Sequence, residues 1–309
     1  MVKRLQNRVA ESRFLLPAMA LYSLVMWLVG GLLGGQLWLQ FVCFVAAVYL
    51  MAELNTSHAL IRIYSRMVSS SFVAMTCMAP FTFTSVNGAV IGVCAAAMFH
   101  PLFRCYQNQT AAGWVFYTFL CLGLGSLKFV WLLYYVPVLW LLLTFHISAM
   151  SWRTFAASLL GVVAPYWFAA VYFIYLGNFS IAEAHFAALA DYSGLADLSL
   201  LTPERTAVAL VVIVLALMGT VHFLRNNYKD KIRIRMFYDC FMVVGLATIV
   251  FMVLQPRHFD TLMSMLIVSA SPLVGHFFAL TETRVTNIVF IATTVVVVGL
   301  TVMNLWMLS

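Results

Sequence analysis

Charge is what this sequence most lacks. Of its 309 residues only 9 % are Asp, Glu, Lys or Arg, where a soluble domain carries about 25 %. That shortage excludes an ordinary water-soluble globule. The 10 carboxylates are outnumbered by 17 lysines and arginines, and no two acidic residues fall within one apolar run, as a carboxylate-based ion or proton pathway would favour. Cysteine chemistry is missing too. Cys43, Cys77, Cys94, Cys105, Cys121 and Cys240 are scattered without a C-x-x-C pair, which removes a disulfide framework and a zinc site and leaves small apolar packing residues. The seven histidines include no H-x-x-x-H or H-E-x-x-H pair, so no metal ligands are assigned. Neither a G-x-S-x-G turn nor a phosphate-binding glycine loop occurs, and no nucleotide or other cofactor is expected.

Apolar bulk fills the space. Apolar residues make up 64 % of the chain and the mean hydropathy is +1.00. They come in long continuous runs, whereas strands of a membrane barrel alternate over about 10 residues. The expected fold is all-α, a polytopic transmembrane helical bundle forming one integral membrane domain over 1–309. At about 20 residues per span, the runs read as 14–34, 36–52, 67–84, 86–103, 111–127, 129–147, 154–176, 205–224, 237–254, 261–280 and 285–306. The break between the third and fourth is faint and rests on Asn87-Gly88 as a turn signal. Prolines 17, 80, 137, 165 and 272 lie inside runs and predict kinks. The start of the chain has an apolar stretch too long for a cleaved signal and no A-x-A site, so it reads as a retained first span.

The cations choose an orientation. With the N-terminus in the cytoplasm and the C-terminus outside, fourteen of the 17 fall on cytoplasmic segments; only Lys128, Arg205 and Arg257 fall outside. Topology follows this bias in Lys and Arg. The expected location is the bacterial inner membrane. The basic run 225–236, "RNNYKDKIRIRM", anchors one cytoplasmic loop and suits anionic headgroups. With no soluble basic face that reads or stacks on bases, nucleic acid is excluded as a partner. One outer connection is long, the acidic loop 178–204. Its first half reads as a short amphipathic helix, and Thr202-Pro203 as the start of the next span. Its role as a lid or as a plain connection stays open.

Three polar features are candidates for binding. Lys128, in "GLGSLKFVWLLYYVP", sits on the side that otherwise avoids cations; a lysine at bilayer depth costs roughly 2.5–3.5 kcal/mol unless it is paired or snorkels to water. It suits a phosphate or carboxylate near the outer face. Arg257, His258 and Asp260 crowd one short outer turn and with Lys128 form a prospective polar mouth. On the cytoplasmic side, His58, Arg62, Ser65, Arg66 and Ser69 recur at helical spacing. His58, Arg62 and Arg66 thus read as one face of an interfacial helix. Arginine forks match phosphate oxygens, yet the wet side of a surface helix accounts for the stripe equally well.

The stretch "GLGSLKFVWLLYYVPVLWLLLTFHISAMSWRTFAASLLGVVAPYWF" (123–168) resembles the lysine-bearing segment, long span, basic turn and proline-ended span of multi-span glycosyltransferases that use polyprenyl-phosphate sugars. Lys128 matches the lysine of that segment. The resemblance implies a lipid-linked anionic ligand such as a polyprenyl phosphate. Those enzymes carry a catalytic acid on a sizeable loop between the first two spans; here that connection is "GGQ" (34–36). The pattern Trp152, Arg153, Gly161, Pro165, Tyr166 is also similar to that of an uncharacterised family of multi-span bacterial envelope proteins of roughly this length. The expectation is a glycosyltransferase-like protein of envelope biogenesis, degenerate or non-catalytic, whose partners are membrane lipids and, on one reading, another membrane protein. A transporter or flippase and a structural subunit of a membrane assembly are the alternatives.

Overall fold

A computed structural model describes residues 4–176, 180–191 and 196–308. Residues 178, 179 and 192–195 of the expected acidic loop lie outside the described residues, as does Lys3. Among the described residues there are only helices. In chain order they are α1 (Leu5–Ala10), α2 (Leu15–Val29), α3 (Trp38–His58), α4 (Met67–Met78), α5 (Val86–Arg104) and α6 (Ala112–Ser126). Next come α7 (Tyr135–Phe145), α8 (Trp152–Leu176), α9 (Ser180–Ala187), α10 (Pro203–Asn226), α11 (Ile232–Leu254), α12 (Phe259–Leu280) and α13 (Arg284–Leu308).

Seven of the helical segments are long and apolar enough to cross a membrane: α3, α5, α8, α10, α11, α12 and α13. A 22-residue helix such as α12 extends about 33 Å at 1.5 Å per residue, close to the roughly 30 Å of bilayer hydrocarbon. The apolar surface left over also belongs in lipid. Trp167, Phe168 and Tyr175 on α8 and Val295 and Trp306 on α13 are among many large exposed apolar side chains, and soluble monomers rarely expose contiguous patches beyond a few hundred Å². The chain is therefore an integral membrane protein with a helical bundle fold.

The central element is α12. Its apolar stretch is 94 % buried, whereas those of α8 and α13 are 22 % buried and sit on the perimeter. Four shorter apolar segments, 15–29, 67–78, 112–126 and 130–145, complete the bundle. At 12 residues α4 reaches only about 18 Å, and irregular backbone follows it. This is tolerable at membrane depth because the segment is buried in protein. Its turns are closed by i+3 hydrogen bonds from Ala79, Thr82, Phe83 and Ser85, and Phe83 stacks on Trp27 with centroids 4.0 Å apart.

Three sequence expectations are corrected here. The break between the third and fourth runs is not made by Asn87-Gly88. Chain direction changes at Pro80, where a 3-10 turn starts, and Ser85 caps α5 by accepting from the Gly88 N–H at 3.0 Å; Asn87 and Gly88 are already helical. The stripe of His58, Arg62 and Arg66 is not a helical face. Ala59 takes a left-handed conformation, φ 50°, ending α3, and 59–66 run without helix to the start of α4. Asn55 forces this exit, holding the Ser65 carbonyl and the Ile61 N–H with its side chain, which bends the segment into a compact cap. Pro101 is an additional proline inside a helix, beside Pro165 and Pro272.

Glycine sets the tightest helix contact. An added Cβ at Gly161 in α8 would come within 2.5 Å of the Phe116 carbonyl oxygen of α6, and one at Gly123 within 2.9 Å of the Val162 carbonyl. Small residues let backbones approach where no hydrophobic force joins helices within lipid.

Hydrogen bonds sort the connections to two ends. At one end Gln6 and Asn7 bond Thr281, Arg4 reaches the Glu282 carbonyl, Arg66 reaches Thr56, and the Gln107 N–H meets Ile147. At the other, Tyr134 donates to Leu189, the Ala196 N–H to Leu254, and Arg205 to Asp260. The first, rich in Lys and Arg, is termed the basic end below.

Candidate functional site

At the end opposite the basic one, the expected polar mouth is divided among separate partners. Arg257 pairs with Asp191 at 3.4 Å, tying the acidic loop down. Asp260, in the first turn of α12, pairs with Arg205 at 2.9 Å, and the Arg205 guanidinium also lies 5.8 Å from the Phe81 ring centre. His258 is held by rings, 5.0 Å from Phe129 and 5.3 Å from Trp131 between centroids. Lys128 precedes this aromatic shelf in sequence and is exposed. Among the described residues no ion pair engages it. Lys128 is therefore linked to His258 only along the chain, through Phe129, while Arg257 and Asp260 face other charges. Nearby, the Tyr166 hydroxyl donates to Ser126 at 2.8 Å and stands 3.4 Å from His185 Nε2, which seats α9 on α6 and α8.

The basic end holds a second constellation that sequence reasoning mostly missed. His276, on the central helix, lies 3.2 Å from an Asp230 carboxylate oxygen, and both side chains are buried. His222 on α10 sits 5.7 Å from His276 ring to ring. Phe223 and Tyr238 enclose the imidazole of His276 at 5.2 and 4.9 Å. Arg62, Asn226 and Lys229 complete the wall of a pit of about 20 Å³. That volume admits a single water. Nδ1 of His222 and Nδ1 of His276 are both buried without a hydrogen-bond partner, an uncommon state for polar atoms.

The electrostatics follow from this geometry. Burial pushes the Asp230 carboxyl up, but the His276 hydrogen bond and charge, and then Arg62 and Arg235, outweigh it and hold the group below its ordinary value of 3.8. Asp230 is thus a carboxylate that answers the Arg62 and Arg235 cations and the His276 imidazole. The pit has room for one water and none for a phosphate. Arg62 and Lys229 are exposed at its rim.

Of the three predicted cytoplasmic residues, only Arg62 belongs to this constellation. His58 is buried at the end of α3, with both ring nitrogens lacking partners. It packs edge-on against Phe103 and Phe237 and stands 6.0 Å from His100. Arg66 turns to Thr56 and the Tyr64 ring. The signal for Asp230 was present in the sequence, as the one carboxylate inside the basic run 225–235. The pairing itself spans 46 positions and leaves no local mark.

Among the described residues no group of three or more His, Cys, Asp or Glu side chains is positioned for a metal ion. No family model, curated protein or solved structure matches the chain.

Proposed function

We propose that this is an eleven-span bacterial inner-membrane protein of envelope biogenesis, N-terminus cytoplasmic and C-terminus outside. It binds the anionic headgroup of a lipid, such as a polyprenyl phosphate, at its outer face. The long helices and the four shorter apolar segments together make eleven. The gathering of alternate connections at two ends supports this path, and the cation bias supports its direction. It is glycosyltransferase-like in segment 123–168, and degenerate or non-catalytic.

The observation that carries the ligand reading is the state of Lys128. The other two cations at its end, Arg205 and Arg257, each meet a carboxylate; among the described residues Lys128 meets none, and it directly precedes Phe129 of the shelf that Phe129 and Trp131 form with His258. A cation left unpaired at the membrane boundary is an expense that an anionic ligand relieves, and the rings offer apolar surface to the first carbons below a headgroup. Native mass spectrometry of the gently extracted protein beside Lys128→Ala tests this. A polyprenyl phosphate or other anionic lipid carried by the parent and lost by the variant is the expected result. Identical, unselective lipid on both would sink the assignment.

A further inference from the structure

A sizeable cavity among the described residues belongs to neither polar centre. It is a lateral groove of about 450 Å³ near the basic end, walled by α1, α2, α4, α12 and α13. Its lining is apolar except for hydroxyls, among them Ser70 and Ser71 of α4 and Thr294 of α13. On α4 the lining runs from Met67 to Met75 and on α13 from Phe290 to Val298. Eight residues of helix extend about 12 Å, most of the roughly 15 Å hydrocarbon depth of one leaflet. Val295 and Val298, which line it, are exposed, so the groove opens sideways where lipid stands.

Two further observations narrow the occupant. Ser70 lines the groove, is 5 % exposed, and its Oγ has no hydrogen-bond partner. It sits only one turn into α4 from the basic end. An unmet donor at that depth matches the ester region of a glycerolipid and nothing in a bare hydrocarbon chain. The second is charge. The short helix α1 closes the basic-end limit of the groove with Leu5 and Val9, and is pinned there by Gln6 to Phe278 and Asn7 to Thr281. This fixes exposed Arg8 beside the opening, with exposed Arg13 following.

We propose that the groove is a binding site for one anionic glycerophospholipid of the leaflet at the basic end. One acyl chain lies between α4 and α13, the ester region stands at the level of Ser70, whose buried hydroxyl reaches an ester oxygen by turning about χ1, and Arg8 and Arg13 hold the phosphate. The site is independent of Lys128 and lies at the opposite end of the bundle.

The test is native mass spectrometry of the full chain, delipidated in detergent and titrated with dioleoyl phosphatidylglycerol, dioleoyl phosphatidylcholine or oleate. The parent protein is expected to retain phosphatidylglycerol at concentrations about tenfold below those needed for phosphatidylcholine, a ratio of ordinary size for one or two added charge contacts, and Lys128→Ala is expected to lose at most an outer-face adduct and to keep one. Val295→Trp, which fills the opening from an exposed position and leaves the core alone, should weaken retention about tenfold. Ala74→Phe should do the same from within, and a failure of that variant to fold leaves Val295→Trp as the reader. Arg8→Gln should reduce the preference for phosphatidylglycerol over phosphatidylcholine. Undiminished binding by Val295→Trp overturns the site, and oleate binding as tightly as phosphatidylglycerol overturns the phospholipid assignment. Loss of all adducts in Lys128→Ala alone would leave the outer-face reading standing and this one not.

Discussion

His276 and Asp230 show how one buried contact governs several segments. The histidine rides on the central helix and the aspartate on the connection between α10 and α11, where a carboxylate would otherwise point to water. A hydrogen bond to a charged group is worth roughly 1.5–3 kcal/mol, and stranding its partner in the interior adds to the loss. Asp230→Ala should therefore lower the melting temperature of the detergent-solubilised protein by an amount corresponding to roughly 2–3 kcal/mol. The pH dependence has a definite sign. Because the folded carboxyl sits below its ordinary value of 3.8, its stabilisation is complete above the ordinary value and disappears as pH falls through the folded one. Thermal melts of the parent should drop below about pH 4, and the Asp230→Asn variant should lose that part of the slope. A variant as acid-sensitive as the parent would assign the drop to other carboxylates. None of this was readable at residue level, since an aspartate among lysines and arginines looks solvated until the fold supplies a buried imidazole 46 positions away.

At the scale of elements, the contact of α6 with α8 makes the sharpest prediction. Gly161→Ala drives a methyl against the Phe116 carbonyl, with no flexible side chain to yield, and should cost roughly 1–3 kcal/mol. Gly113→Ala, also in α6 but with nothing within 4 Å of its added Cβ, should instead stabilise by about 0.5–1 kcal/mol by removing helix-opposing chain entropy. Urea or thermal unfolding in one detergent reads both, and equal effects would refute a close-packed pair. Continuous apolar runs in the sequence located both helices, because a membrane span is written in continuous hydrophobicity; helical periodicity served less well. It misjudged 59–66, where the spacing of His58, Arg62 and Arg66 fits a helix. Asn55 instead satisfies the backbone at Ile61 and Ser65 with its side chain, and Ala59 pays the left-handed strain. Side-chain competition for backbone groups is decided by geometry a periodic pattern does not encode. Ser85 outcompeted Asn87-Gly88 in the same way, by capping a helix that the turn signal would have delayed.

For the whole molecule, the proposed topology is open to a direct test. In a background lacking the six native cysteines, Asp197→Cys and Lys229→Cys place single thiols on exposed positions at opposite ends. A membrane-impermeant maleimide applied to intact spheroplasts should label the first and reach the second only after permeabilisation. The reverse pattern would invert the molecule, and labelling of both would break the eleven-span path.

What the sequence determined by itself was the solvent. So little charge and so much continuous apolar chain leave helices in a bilayer as the only state that keeps backbone groups satisfied, and that conclusion needs no long-range contact. Composition and period are local properties, so they survive without a fold. The tertiary structure alone decided which span is central, which cations are neutralised and which cavities exist. Among the described residues the lysine at 128 stayed unpaired, the arginines at 205 and 257 did not, and Ser70 was left without a partner beside a groove. Each of these depends on residues brought together from distant positions by packing in three dimensions, where charge and shape are balanced pair by pair.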